Sequence, residues 1–115
     1  MSIQRLHGTG RMSETVVHGN TIYLAGQVAD DASAPIAEQT RQVLAHVDRL
    51  LAEVGSDRSK ILSTQIWLKD MADFAAMNEV WDAWVDRANA PARATGQVAL
   101  ANPDLRIEVI VAAAR

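Results

Sequence analysis

Between Ile36 and Val54 the residues Ile36, Thr40, Val43, Leu44, Val47, Leu50, Leu51 and Val54 recur at helical spacing. The period and length predict an amphipathic helix with one face on a core, and Gly55 supplies its C-terminal stop. Glu38, Arg41, His46, Asp48, Arg49 and Glu53 fall on the other face, as a solvated surface requires. A second helix is expected over Met71–Arg87, capped by Asp70. Its broad apolar stripe runs through Phe74, Met77, Trp81, Trp84 and Val85, is interrupted by Asn78, and cannot continue past Pro91.

Everything around these two helices reads as strand. Ile3–His7 comes first, then Gly8-Thr9-Gly10 as turn punctuation. Thr15–His18 and Thr21–Gly26 flank Gly19-Asn20, a strong hairpin signal. Ile61–Lys69 alternates, with Leu62, Thr64, Ile66 and Leu68 on one side and Ser63, Gln65 and Trp67 on the other. Arg93–Leu100 and Arg106–Ala113 close the chain around the turn Asn102-Pro103-Asp104. The expected order is β-β-β-α-β-α-β-β. Two helices cover one face of such a sheet only. Depending on register, the other face presents residues such as Val17, Tyr23, Trp67 and Ile110. A half-apolar face left bare is unfavourable, and self-association through it is the natural remedy.

A chain of 115 residues is expected to form one domain, residues 1–115. Its formal net charge is −3 without a basic block, which disfavours nucleic-acid backbone as a partner. No stretch approaches the roughly 20 apolar residues of a membrane-spanning helix. The start, Met1-Ser2-Ile3-Gln4-Arg5, has no apolar signal core, so a soluble cytoplasmic protein is the expectation. The chain contains no cysteine, which removes disulfides, thiolate catalysis and cysteine-ligated zinc. His7, His18 and His46 lack a metal-ligand spacing, so no metal or cofactor is expected. Gly8-Thr9-Gly10 lacks the lysine and spacing of a phosphate loop.

Two charged residues on strands then stand out. Arg93, just behind Pro91, carries a planar fork of donors suited to a carboxylate; the alternative is a surface or inter-subunit salt bridge. Glu108 lies in Ile107-Glu108-Val109-Ile110-Val111. A carboxylate among apolar β-branched residues is either partly desolvated, which raises its pKa, or paired with Arg106 or Lys69. On what are expected to be adjacent strands, the pair points to a site for a small carboxylate-bearing molecule. Thr95 and Gln97 share the Arg93 face by the two-residue period and are further candidates. Trp81 and Trp84 read as helix packing, and Trp67 as packing or a subunit interface.

The whole chain resembles the reactive intermediate deaminase family (Rid, or YjgF-type, also called endoribonuclease L-PSP-like). The matching stretches are Gly19-Asn20-Thr21-Ile22-Tyr23-Leu24-Ala25-Gly26-Gln27, Gln39-Thr40-Arg41-Gln42-Val43-Leu44, Val54-Gly55-Ser56, Trp67 through Asn78, Pro91-Ala92-Arg93 and Ile107-Glu108. The resemblance implies a chorismate-mutase-like α/β (α+β) fold with two helices on one face of a mixed sheet. It also implies homotrimers around a central β-barrel, with ligand clefts between subunits. The implied reaction is hydrolysis of enamines and imines such as 2-aminoacrylate to 2-keto acids and ammonia, without a cofactor. Arg93 matches the arginine that holds the substrate carboxylate, and Glu108 a carboxylate that positions water.

The departures are local. The family's deaminases carry Gly-Pro-Tyr where this chain has Gly10-Arg11-Met12-Ser13, and a serine where it has Ala25. Met12 and Ala25 therefore line the expected cleft without those polar contacts. Tyr23 either replaces the lost hydroxyl or belongs to an interface, and Thr95 lines either the site or the barrel. Two further functions stay open. One is a binder or sensor of small 2-keto acids without turnover. The other is a ribonuclease acting as a translation inhibitor, against which the acidic balance argues.

Overall fold

A computed structural model of the chain describes residues 2–115. Seven strands form one sheet: β1 (Ile3–Leu6), β2 (Thr15–His18), β3 (Thr21–Leu24), β4 (Gln27–Val28), β5 (Ile61–Leu68), β6 (Ala92–Gln97) and β7 (Ile107–Ala114). Helices α1 (Ile36–Glu53) and α2 (Phe74–Trp84) pack together on one side of it. The sheet order is β1-β2-β3-β7-β5-β6, with β4 also paired to β7. All pairs are antiparallel except β5 with β6, so the sheet is mixed.

The α1 stripe behaves as its spacing predicts. Val43, Leu44, Val47, Leu50 and Leu51 are buried against Ile107, Val109 and Val111 of β7, Ile66 and Leu68 of β5, and Met77 and Trp81 of α2. Each such side chain contributes about 1.5–3 kcal/mol of burial free energy. Gly55, at φ 78°, terminates the helix in the left-handed region that favours glycine. Gly19, at φ 61°, closes the β2–β3 hairpin. Gln39 is fully buried and works as a staple. Its amide donates to the Ala32 and Ala34 carbonyls, while its Oε1 accepts from the Arg106 backbone N–H.

Several expectations need correction. The second helix is shorter than Met71–Arg87. Asp70 caps a 3-10 turn, Met71–Asp73, before α2 begins, and Asp86 starts another, Arg87–Asn89, after Val85 turns extended. Short acceptor side chains compete for backbone N–H groups and break the helix at both ends. Leu62 does not share the Thr64 face. A β-bulge between Ile61 and Ser63 turns it outward, to 52 % exposure. Val17 is buried under the helices rather than on the bare face, where Tyr23, Trp67 and Ile110 do lie. Asp48 is not simply solvated, since it bonds Arg58 and Trp84.

The third expected strand, Thr21–Gly26, is split. β3 ends at Leu24, and the added β4 follows after Ala25-Gly26. From Tyr23 to Gln27 the chain takes four steps while its partners on β7 take three, from Ala112 to Val109. The extra residue flips the alternation, so Gln27 is buried and Val28 comes to the bare side. Arg93–Leu100 is also shorter, ending as strand at Gln97.

Candidate functional site

Arg93 and Glu108 are not on adjacent strands. β6 runs parallel to β5, and β7 pairs with the other side of β5, which therefore separates them. Nor do they share a face. Arg93 is opposite Thr64, which is opposite Val111, and both partners are buried under the helices. Glu108 is opposite Trp67, which is opposite Gly96, on the bare side. One chain thus carries two separate half-sites.

The Arg93 half-site lies on an edge strand beneath α2. Arg93 Nη1 donates to Asn78 Oδ1 at 2.7 Å. The guanidinium carbon lies over the Phe74 ring at 5.9 Å and the Trp81 ring at 5.4 Å. Phe74, Asn78 and Trp81 follow one another at helical spacing, so one face of α2 holds the arginine. Two buried hydroxyls flank it: Thr64 across the strand pair and Thr95 two residues on. Neither Oγ1 has a hydrogen-bond partner among the described residues. Gln97 is exposed, and its Oε1 accepts from the Met71 N–H.

The Glu108 half-site is built from the split strand. Glu108 stands between Val28 of β4 and Trp67 of β5, and its carboxylate packs against Gly26. A Cβ at position 26 would sit 1.9 Å from Glu108 Oε2, so any side chain there would push the carboxylate out of this place. Among the described residues the Glu108 carboxylate has no ion pair or hydrogen bond. Arg106 forks onto Asp73 with two bonds of 3.1 Å, and Lys69 Nζ donates to the Pro103 carbonyl. The pairing of Glu108 with either cation is therefore ruled out. Burial alone raises the Glu108 pKa above the ordinary carboxylate value.

The remaining candidates divide between these places. Ala25 precedes Gly26, and its N–H donates to the Glu14 carbonyl at 2.9 Å. Glu14 also accepts from Gln27 Nε2. Met12, 43 % exposed, sits in the loop leading to Glu14. Tyr23 faces the bare side opposite Ala112. Four residue steps along β7 separate that position from Glu108, about 13 Å of strand. Within one chain, Tyr23 is not part of the Glu108 half-site.

The residues that sequence reasoning missed are Phe74, Asn78, Trp81, Thr64 and Gly26. Asn78 left a trace as the polar gap in an apolar stripe. Phe74 and Trp81 look like ordinary core aromatics until a cation is found between their rings and the sheet edge. Among the described residues no cluster of His, Asp or Glu is arranged to hold a metal ion.

The family model described as Endoribonuclease L-PSP matches residues 2–115. The chain belongs to that family. It is 45% identical to a RutC family protein of Haemophilus influenzae, with 98% of each chain covered. It is 44% identical to the RutC family protein YoaB of Escherichia coli K12, over 99% of each. Among solved structures, an uncharacterized protein from Pseudomonas aeruginosa superposes with a TM-score of 0.96 at 48% identity, covering 99% of both chains. A YjgF family member from Neisseria meningitidis gives 0.96 at 44%, covering 100% of this chain and 96% of the other. The α+β fold expected for a YjgF-type chain is thereby established. No described helix is long and apolar enough to cross a membrane.

Proposed function

We propose that this L-PSP family member hydrolyses carboxylate-bearing enamines and imines of the 2-aminoacrylate type, releasing 2-keto acids and ammonia. The observation that carries the reading is Glu108, a carboxyl with no cation and no hydrogen bond among the described residues, and a pKa raised by burial. Such a group is poised for proton transfer nearer neutral pH than an ordinary glutamate. Arg93 supplies the complementary half, a guanidinium held by Asn78 and two aromatic rings at a sheet edge.

The two half-sites act together when the β6 edge of one copy meets the bare face of the next, as in the homotrimer that the resemblance implies. Tyr23, Trp67 and Ile110 then belong to the contact. Arg93 and the Thr95 hydroxyl hold the substrate carboxylate, and Met12 and Ala25 border the carbon chain. Glu108 takes a proton from water as the oxygen adds to the imine carbon. It passes that proton to nitrogen, then moves the proton of the new hydroxyl to nitrogen as the C–N bond breaks, leaving keto acid and ammonia. The imine is already electrophilic, so placement supplies most of the acceleration.

Met12 and Ala25 favour a second reading, a 2-keto acid binder without turnover, because neither brings a polar group to the Glu108 side. One assay separates the two. Imines are generated in situ by an amino-acid-consuming lyase, and ammonia and keto acid release are followed. Wild type accelerates release, and Arg93→Ala abolishes the acceleration with the oligomer intact. Acceleration by Arg93→Ala at the wild-type rate contradicts the proposal; pyruvate binding with no acceleration by wild type selects the binder.

A further inference from the structure

The support under Arg93 continues beyond Phe74 and Asn78 into the body of the protein. Trp81 is 6 % exposed and stacks at 48° on Trp84, with ring centroids 5.3 Å apart. Trp84 is clamped from two other elements. Its Nε1 donates to Asp48 Oδ2 of α1 at 3.0 Å. Its carbonyl accepts from Arg58 Nη1 at 2.7 Å, and the Arg58 guanidinium carbon lies over its ring at 4.9 Å. Arg58 Nη2 closes the triangle on the same Asp48 oxygen at 2.7 Å.

The geometry points to Trp81 as the positioning residue of Arg93, with the Trp84–Asp48–Arg58 clamp holding Trp81 in place. The inference rests on the reading of Arg93 as the carboxylate grip. A long arginine on an edge strand ordinarily loses rotamer freedom when it binds. Here that freedom is already restricted. Asn78 holds one nitrogen and the two rings restrain the plane, which leaves the other N–H groups of the fork for a ligand. Trp81 touches no substrate in this account and acts through Arg93 alone.

Binding of pyruvate and 2-oxobutyrate by calorimetry, with kcat and KM for in-situ imines, tests this on Trp81→Leu, Trp81→Phe, Trp84→Leu and Arg93→Ala. Trp81→Leu raises Kd and KM about 10-fold and leaves kcat within about twofold, because a desolvated cation–π contact is lost. Trp81→Phe restores affinity to within about threefold, since a ring still faces the guanidinium. Trp84→Leu, which touches no part of Arg93, raises Kd about threefold through the loosened indole. Melting temperature and oligomeric state are recorded for each. A folded Trp81→Leu with wild-type Kd overturns the inference. Should Trp81→Leu fail to fold, a wild-type Kd in Trp84→Leu overturns it instead. Wild-type Kd in Arg93→Ala overturns the grip itself and this inference with it. Loss in Arg93→Ala beside wild-type Kd in the tryptophan variants overturns this inference alone.

Discussion

The two half-sites are opposites in how the fold treats a charge. Arg93 is satisfied: a hydrogen bond to Asn78 and two aromatic faces hold it under α2. Glu108 is left wanting: it is packed on Gly26, desolvated, and without a partner among the described residues. The lesson is a division of labour. A group that must grip is best fixed in advance, since ordering it during binding costs affinity. A group that must move a proton is best kept from a permanent partner, since a cation would pin it as carboxylate.

The contrast is broken most severely at Gly26. Gly26→Ala drives a methyl into the Glu108 carboxylate, so turnover falls at least about 100-fold as the carboxyl is displaced. Keto acid affinity, set at Arg93, stays within about threefold. Kinetics and calorimetry on the same variant check the split, and a near-wild-type kcat would show that Glu108 is not held where it works.

Next in size is the effect of the two unpaired hydroxyls beside the grip. Thr95→Val weakens keto acid binding about 10–100-fold where its Oγ1 meets the ligand carboxylate, the usual worth of a hydrogen bond to a charged group. Thr64→Val, which removes a hydroxyl that is buried and unpaired, is neutral or raises the melting temperature. Equal losses of affinity in both variants would mean that the ligand reaches deeper under α2 than the grip requires.

The smallest effect is on stability. The Glu108 pKa is raised in the folded state, so folding binds a proton more tightly there. Its contribution is therefore most favourable below the unfolded carboxylate pKa and is lost as pH rises through the folded value. Glu108→Gln raises the melting temperature at neutral pH, and the gain shrinks on acidification. A lower melting temperature of the variant at pH 7 would reveal a partner that the carboxylate needs.

Much of this is legible in the amino-acid sequence. The α1 stripe, the Gly55 stop and the Gly19 turn follow from period and backbone freedom, and Glu108 among β-branched residues already signalled desolvation. Three things are not. The bulge at Leu62 breaks the period of two without a residue type that announces it, and at Ala25-Gly26 only the glycine marks the irregularity. The passage of the chain from β6 across to β7 depends on long-range pairing, which no local pattern encodes. Nor does spacing along α2 reveal that a cation from another strand lies over Phe74 and Trp81. These are the features that decide the site. They move Arg93 and Glu108 from expected adjacent strands to strands separated by β5, on opposite faces of the sheet.

That separation makes the central claim directly testable: an Arg93 and a Glu108 that work together come from different copies of the chain. Arg93→Ala and Glu108→Gln, each inactive alone, are unfolded together in equal amounts, refolded and assayed for imine hydrolysis. Random mixing unites an intact Arg93 with an intact Glu108 at about one interface in four, so about a quarter of the wild-type rate returns. A mixed preparation that co-assembles yet stays as inactive as its parents would place both residues in one chain's site and contradict the account.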